Sequence, residues 1–383
     1  MSYTPGQFTE TILMEQIYRA DQMMLDKRIA LQYEPQIDCL MPVLGLQTAT
    51  LNTALNAIDG KDYDVEITWM NACDDFQIDD VSCELGGEEP STNAQKYTLR
   101  KRFVHGFSIR DDAFRDNQYG ANEAVAKTML RIDKVISERF TRYMIDFLNA
   151  SAGVNVVPDR PGFATDAGNR RTDIDAAEWT SPIMAYLARV MLMNRLRNGV
   201  ILTGSNLFET LLVDGAMQAN ANGKGDMVLW NSMRFIFDLI NVDGVNNPDM
   251  YTYLLTQGAY AVASKTWNPD SPQRNFHDIR YTMPSRFLPF KYDVFYNNEC
   301  QADGSDVDTD GALPHLGDTD AFRQELIDTP DWRDGNFRSD ALKHNYKIVL
   351  TAEAFLNPLG CDESDLGTEW TENTGILRMR NVP

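Results

Sequence analysis

ANEAVAKTMLRIDKVISERFTRYMIDFL, residues 121–148, is the stretch on which the fold turns. Ala121, Val125, Met129, Ile132, Ile136, Phe140, Tyr143 and Phe147 recur in steps of three and four, which puts them on one helical stripe. Asn122 can cap the start, and Gly153 with Pro158 ends the run. Lys134, Glu138 and Arg142 lie four apart on another face, where they can pair. Roughly 28 residues at about 1.5 Å each give a rod of about 40 Å, long for a globular domain. A single-seam helix of that length reads as scaffold.

Working back from the helix, the period changes from 3.6 to two. Tyr63, Val65, Ile67 and Trp69 alternate with Asp64, Glu66 and Thr68, the pattern of a half-buried strand. A second strand is predicted in which Tyr97, Leu99, Lys101, Phe103, His105, Phe107 and Ile109 share one face, while Arg100, Arg102, Val104, Gly106, Ser108 and Arg110 take the other. The first strand is acidic (Asp62, Asp64, Glu66) and the second basic (Lys96, Arg100, Lys101, Arg102), so opposite charges predict an antiparallel ladder between them. The connector, Cys73 to Thr92, carries Asp74, Asp75, Asp79, Asp80, Glu84, Glu88 and Glu89 around Gly86 and Gly87, and is too long for a tight turn. A long two-stranded ribbon is marginal alone in water, so ribbon and rod are expected to lie on the surfaces of other copies.

Residues 1–60 have short apolar patches, Pro5, Pro35 and Pro42, and no sustained period, which predicts an extended arm with a short helix near Glu10–Arg19. Beyond residue 180 the chain alternates elements. Ser181 and Pro182 start a helix through Ile183, Met184, Leu187, Val190, Met191 and Met193 that Gly199 stops. Val200–Leu202 is a strand that Thr203, Gly204 and Ser205 turn into a helix over Asn206–Gln218. Further elements follow at Met233–Ile240 and Met250–Lys265, then the strand-like Phe290–Tyr296 and a last strand Tyr346–Ala352 closing with Phe355 and Pro358. The fold class is mixed α+β.

Composition removes several function classes. Of 383 residues, 43% are hydrophobic and 24% charged, so the chain can bury a core without staples. There is no signal-like N-terminus and no run of about 18 apolar residues, so neither secretion nor a membrane partner is expected. Cys39, Cys73, Cys83, Cys300 and Cys361 are scattered without a C-x-x-C pair, which fits a reducing place of synthesis. A net charge of −21 works against adhesion to phosphate backbones.

Chemistry is sparse. The turn at Gly204 and Ser205 lacks P-loop spacing, and no H-E-x-x-H, G-x-S-x-G or G-x-G-x-x-G occurs. His105, His277, His315 and His344 are far apart, and a hydrolase built on His277 or His344 would need a pocket with perturbed titratable groups. Asp306, Asp308 and Asp310 with Gly311 match the first half of a calcium loop, but its ninth and twelfth positions are Pro314 and Gly317. They stay metal candidates within an acidic loop over 303–320, and a calcium-dependent binding domain is the rival reading. Trp267, Phe276, Tyr281, Phe287 and Phe290 read as packing and contact residues.

The order arm, charged ribbon, long helix, α/β domain and apolar closing strand resembles the Hong Kong 97 fold of tailed-bacteriophage major capsid proteins and encapsulin shells. The resemblance implies an N-terminal arm (1–60), an extended β-hairpin loop (61–110), a peripheral domain with a spine helix (111–180), an axial α/β domain (181–345) and a C-terminal strand and tail (346–383). It also implies a non-enzymatic subunit with no cofactor, forming pentamers and hexamers around double-stranded DNA without reading its sequence. An encapsulin-like shell is the alternative. The expected partners are other copies, a separate scaffolding protein, a portal and decoration proteins, in host cytoplasm during assembly and then in the virion. Asp64, Glu66, Trp69, Arg100, Lys101, Arg102 and Phe103 are the expected assembly contacts. Neither partner of the isopeptide cross-link found in some members can be matched here, and Lys96 and Lys101 stay surface charges.

Overall fold

A computed structural model describes residues 35–52, 63–70, 92–110, 118–153, 160–166, 168–180, 182–193, 199–205, 207–208, 226–230, 233–243, 250–266, 273–274, 279–300, 342–357 and 374–382. The expected helix at 10–19, the acidic connector, most of the expected helix 206–218, and the Asp306, Asp308 and Asp310 loop lie outside them. The fold is mixed α+β, with helices packed against three sheets among the described residues.

The quoted stretch folds as expected. Helix α2 (Gln118–Ala150) is 33 residues long, following the short α1 (Leu40–Leu44). Its buried stripe is Val125, Met129, Ile132, Ile136, Phe140, Met144 and Leu148, joined by Ile145. Tyr143 and Phe147 from the predicted stripe are half-buried at its margin.

The surface beneath α2 comes from its own chain, which corrects the expectation that rod and ribbon find their partners in other copies. Strands β4 (Arg102–Arg110), β14 (Lys291–Cys300) and β15 (Leu342–Leu356) lie side by side with β15 in the middle. Their period of two turns Phe103, Phe107, Tyr292, Val294, Tyr296, Tyr346, Ile348 and Leu350 toward the helix. The rings interlock: Phe107 stacks on Tyr346 at 4.7 Å between centroids, and Phe140 meets Phe103 and Phe290 edge-on, each at 5.6 Å. Strands β13 (Ile279–Pro284) and β12 (Gln273–Arg274) extend this sheet beyond β14.

The described part of the ribbon departs from the prediction at its base. Strand β2 (Asp64–Met70) pairs antiparallel with β3 (Thr92–Thr98), and β1 (Thr50–Asn52) pairs along the other side of β2. The predicted single strand from Tyr97 to Ile109 is two strands of different sheets: β3 stays with the ribbon, while β4 crosses to β15 from Arg102↔Thr351 to Arg110↔Lys343. The break has a cause far along the chain. Glu353 Oε2 accepts the backbone N–H groups of Arg100 at 2.7 Å and Lys101 at 3.3 Å, which takes them out of any ladder. The expected charge pairing survives only as Glu66 opposite Lys96; Asp64 faces Thr98, whose hydroxyl donates to it at 2.6 Å.

The ribbon also lies on its own body. Strand β11 (Tyr260–Ser264) pairs with the far end of β15 and alternates between two cores. Tyr260 and Val262 face the core shared with α2, whereas Ala261 and Ala263 face Val65, Ile67 and Trp69. Two alanines in succession on that face let the ribbon approach closely.

The third sheet has seven strands in the order β5 (Phe163–Asp166), β6 (Arg171–Asp175), β16 (Ile376–Val382), β10 (Tyr251–Leu255), β7 (Val200–Thr203), β9 (Met233–Phe237) and β8 (Asp226–Trp230). Helix α3 (Ile183–Met193) covers one face through Ile183, Leu187 and Val190, which meet Ile201, Phe235, Leu254 and Leu377. Val200, Leu202, Tyr253, Leu255 and Ile376 belong instead to the core of α2. A strand covered on both faces carries an unbroken apolar run, as Val200–Leu202 does. The segments 233–237 and 251–264 are therefore strands, with a turn between β10 and β11 where Gly258 has φ of +80°.

Residues 35–52, part of the expected arm, are also stitched to this body. Tyr260 Oη donates to Val43 O at 2.8 Å, Val262 N–H to Gln47 Oε1 at 2.8 Å, and Gly258 N–H to Leu46 O at 2.8 Å. Asp238 fixes the same segment by accepting from Cys39 N–H and from both the backbone and the side-chain amide of Asn241.

Candidate functional site

The expected assembly residues fall into two groups. Trp69 is 1% exposed, its ring held in the ribbon core and its Nε1–H given to Tyr97 Oη at 3.3 Å. Phe103 is half-buried between Phe140 and Tyr143. Trp69 is used inside its own chain, and Phe103 packs there on one side while staying half-buried. Asp64 and Glu66 are half-buried on the ribbon's other face, and Arg100, Lys101 and Arg102 are exposed around the kink that leads into β4. Arg102 places its guanidinium over the Tyr63 ring at 4.5 Å, and Lys101 sits over Tyr143 at 5.8 Å.

The last described pair of the ribbon is Met70 with Thr92, just before and at the end of the acidic connector, which itself lies outside the described residues. The outer face of β4, β14 and β15 exposes Arg102, Val104, Gly106, Ser108, Lys347 and Lys291. The side of α2 away from the core carries Lys127, Arg131, Lys134, Glu138, Arg139, Arg142 and Asp146, of which Lys134 and Glu138 form an i,i+4 pair at 3.7 Å.

Among the described residues one buried polar cluster centres on Asp133, one turn along from Met129 and 4% exposed. Its carboxylate accepts from Ser285 Oγ at 2.6 Å, Arg286 N–H at 2.7 Å, Ser137 Oγ at 3.4 Å, and from the Tyr292 hydroxyl. Burial raises its pKa above the ordinary carboxylate value, and the four donors only partly oppose that. Burial likewise pushes the Tyr292 phenol up, keeping it a donor. The cluster clasps α2 to the turn 285–290, and its donors are all engaged with Asp133 or with one another.

A second polar hinge lies at Gly204. Asp243 accepts the Ser205 N–H with both oxygens, at 2.9 and 3.1 Å, and a Cβ on Gly204 would stand 1.8 Å from Asp243 Oδ1. The turn that the sequence offered as a non-P-loop is thus shaped around a carboxylate, and such a group repels phosphate.

The catalytic and metal expectations meet little here. His277 lies outside the described residues, and His105 is half-buried on β4. Among the described residues no group of three or more His, Cys, Asp or Glu side chains stands together as a metal-binding set. Cys39 is buried and unpaired, with its thiol pKa raised by burial. No helix among the described residues is long and apolar enough to cross a membrane. Of the aromatic packing residues, Phe290 lies against Phe140 as expected.

No protein-family model matches the chain, and no curated protein matches it. Among solved structures the chain is similar to a subunit of the cyanophage A-1(L) capsid asymmetric unit, at 14% identity and a TM-score of 0.45, over 92% of this chain and 97% of that one. It is similar to a subunit of the cyanophage Pam1 capsid asymmetric unit at 10% identity and a TM-score of 0.42, over 92% and 94% of the two chains. A third is the holo-SrpI encapsulin complex from Synechococcus elongatus PCC 7942, at 10% identity and a TM-score of 0.39, over 92% and 96%.

Proposed function

We propose that this chain is a structural shell subunit, the major capsid protein of a tailed bacteriophage, acting by assembly and not by catalysis. The supporting observation is how β15 closes the chain path. It returns beside β4 over nine residue pairs beneath the 33-residue helix, and its far end pairs with β11, the strand that carries the ribbon. One strand thereby brings the ribbon and the long helix onto a connected body. A subunit whose parts share packed cores suits a shell, because curvature is then set by the angles between subunits.

In this reading the ribbon tip and residues 1–34 reach neighbours, residues 111–180 form the periphery, and 181–345 form the axial part at capsomer centres. Asp64, Glu66, Arg100, Lys101 and Arg102 stay the proposed contacts. Hundreds of copies form pentamers and hexamers of an icosahedral shell around double-stranded DNA. Each interface is modest, and overlap makes many weak contacts act together. A separate scaffolding protein, a portal and decoration proteins complete the particle, which is built in host cytoplasm.

Electron microscopy and light scattering of the expressed protein test this. Closed particles or capsomer rings are expected; a monomer that persists at high concentration would overturn the reading.

A further inference from the structure

The outer side of α2 runs against the charge of the whole chain. The chain carries 35 Lys and Arg against 56 Asp and Glu. Along this one helix face, Lys127, Arg131, Lys134, Arg139 and Arg142 stand against Glu123, Glu138 and Asp146 in the sequence. Glu138 is already committed, to Lys134 and to the backbone N–H of Gln36 at 3.4 Å. Arg131, Arg139 and Arg142 are exposed. With about 100° of turn per residue, Lys127, Arg131 and Arg142 fall within an arc of about 60°, and a rise of about 1.5 Å per residue spreads them over about 22 Å. The core stripe on the opposite side, from Val125 to Leu148, holds this row straight and rigid.

We propose that this strip docks the phosphate backbone of nucleic acid without reading its sequence. Backbone docking needs only clustered cations, since its free energy comes from counterions released from the phosphates. Arginine supplies a forked donor that suits phosphate oxygens, and three of the five cations are arginine. The competing occupant is an acidic protein segment, such as the connector of another copy with its seven carboxylates between Asp74 and Glu89. A stable peptide interface, however, centres on a few aromatic or arginine anchors buried in well-packed pockets. The large apolar side chains exposed among the described residues are Met41, Val104, Leu192, Met193, Leu239 and Ile240, none of them on α2. The strip therefore favours a polyanion whose charge alone suffices.

The test titrates the purified full-length chain into a labelled DNA duplex of about 20 base pairs, reading fluorescence anisotropy between about 25 and 200 mM NaCl. Binding should weaken with a slope of log K against log salt near −3 to −4, as expected for about four phosphate contacts, and should be equal for two unrelated sequences. Arg131→Ala/Arg139→Ala/Arg142→Ala should reduce the slope by about 3. A Lys291→Ala/Lys347→Ala variant on the far face of the sheet should bind as the parent does, and circular dichroism melts check that both variants fold. The proposal is overturned by absence of binding at the lowest salt, by a triple variant that binds as the parent does, or by an equal loss in the sheet variant. A synthetic 73–91 peptide that binds the chain more tightly than DNA and displaces it would assign the strip to a second copy. Since the readout is DNA affinity, it stands or falls separately from whether the chain forms particles.

Discussion

Asp133 interrupts the apolar face of a helix whose neighbours Met129, Ile132 and Ile136 are all buried. A helical wheel shows it only as an acid beside the core; its four donors come from Ser137, Ser285, Arg286 and Tyr292, three of them about 150 residues away. Because its folded pKa is raised, the folded state holds a proton that the unfolded chain releases. Its contribution to stability is therefore complete below the unfolded value of about 3.9 and fades as pH rises through the higher folded value. Urea unfolding of the parent and Asp133→Asn should show the parent gaining stability relative to the variant as pH falls from neutral, while a constant difference would contradict the assignment. Gly204 gives a second test: Gly204→Ala forces Asp243 off the Ser205 N–H and should cost about 1–3 kcal/mol in the same assay. Trp69 and Phe103 were legible as important aromatics, but only the coordinates show that their rings belong to internal cores.

At the scale of elements, periodicity located β2, β4, β7 and the centres of β14 and β15, but it gave no strand at β5, β6, β8, β13 or β16, so Tyr346–Ala352 is not the last strand, and it placed pairing poorly. Residues 97–109 alternate without a break, so they read as one strand; the kink comes from Glu353, more than 250 residues on. Likewise 250–265 carries enough apolar residues for one element, yet Gly258 at positive φ divides it into β10 and β11. The ribbon that remains is anchored at its base through Val65, Ile67 and Trp69. Replacing residues 73–91 by a short Gly-Ser turn should consequently leave the urea midpoint unchanged while abolishing particles seen by electron microscopy. Normal particles from that variant would refute the connector's role in assembly.

For the whole molecule, one core joins α2, the sheet around β15 and the inner face of the seven-stranded sheet, so these parts are packed together. Net charge is the property most easily misjudged at this scale. A total of −21 argues against contact with phosphate, but a total says nothing about where the charges lie, and α2 gathers its cations on one face. Lys134, Glu138 and Arg142 were legible in the sequence as a face that can pair, and Lys127 and Arg131 extend it. Its meaning required knowing which side of the helix is covered.

By itself the sequence determined the long helix, the strand at 200–202, the alternation along β2 and β4, and the mixed α+β class, because each depends on a period that a few neighbouring residues set. Tertiary structure alone decided that β4 leaves the ribbon for β15, that ribbon and helix lie on their own chain, and that Trp69 is interior. Those outcomes depend on partners far apart in sequence, and no local pattern encodes which distant carboxylate or alanine pair will meet a strand once the core has closed.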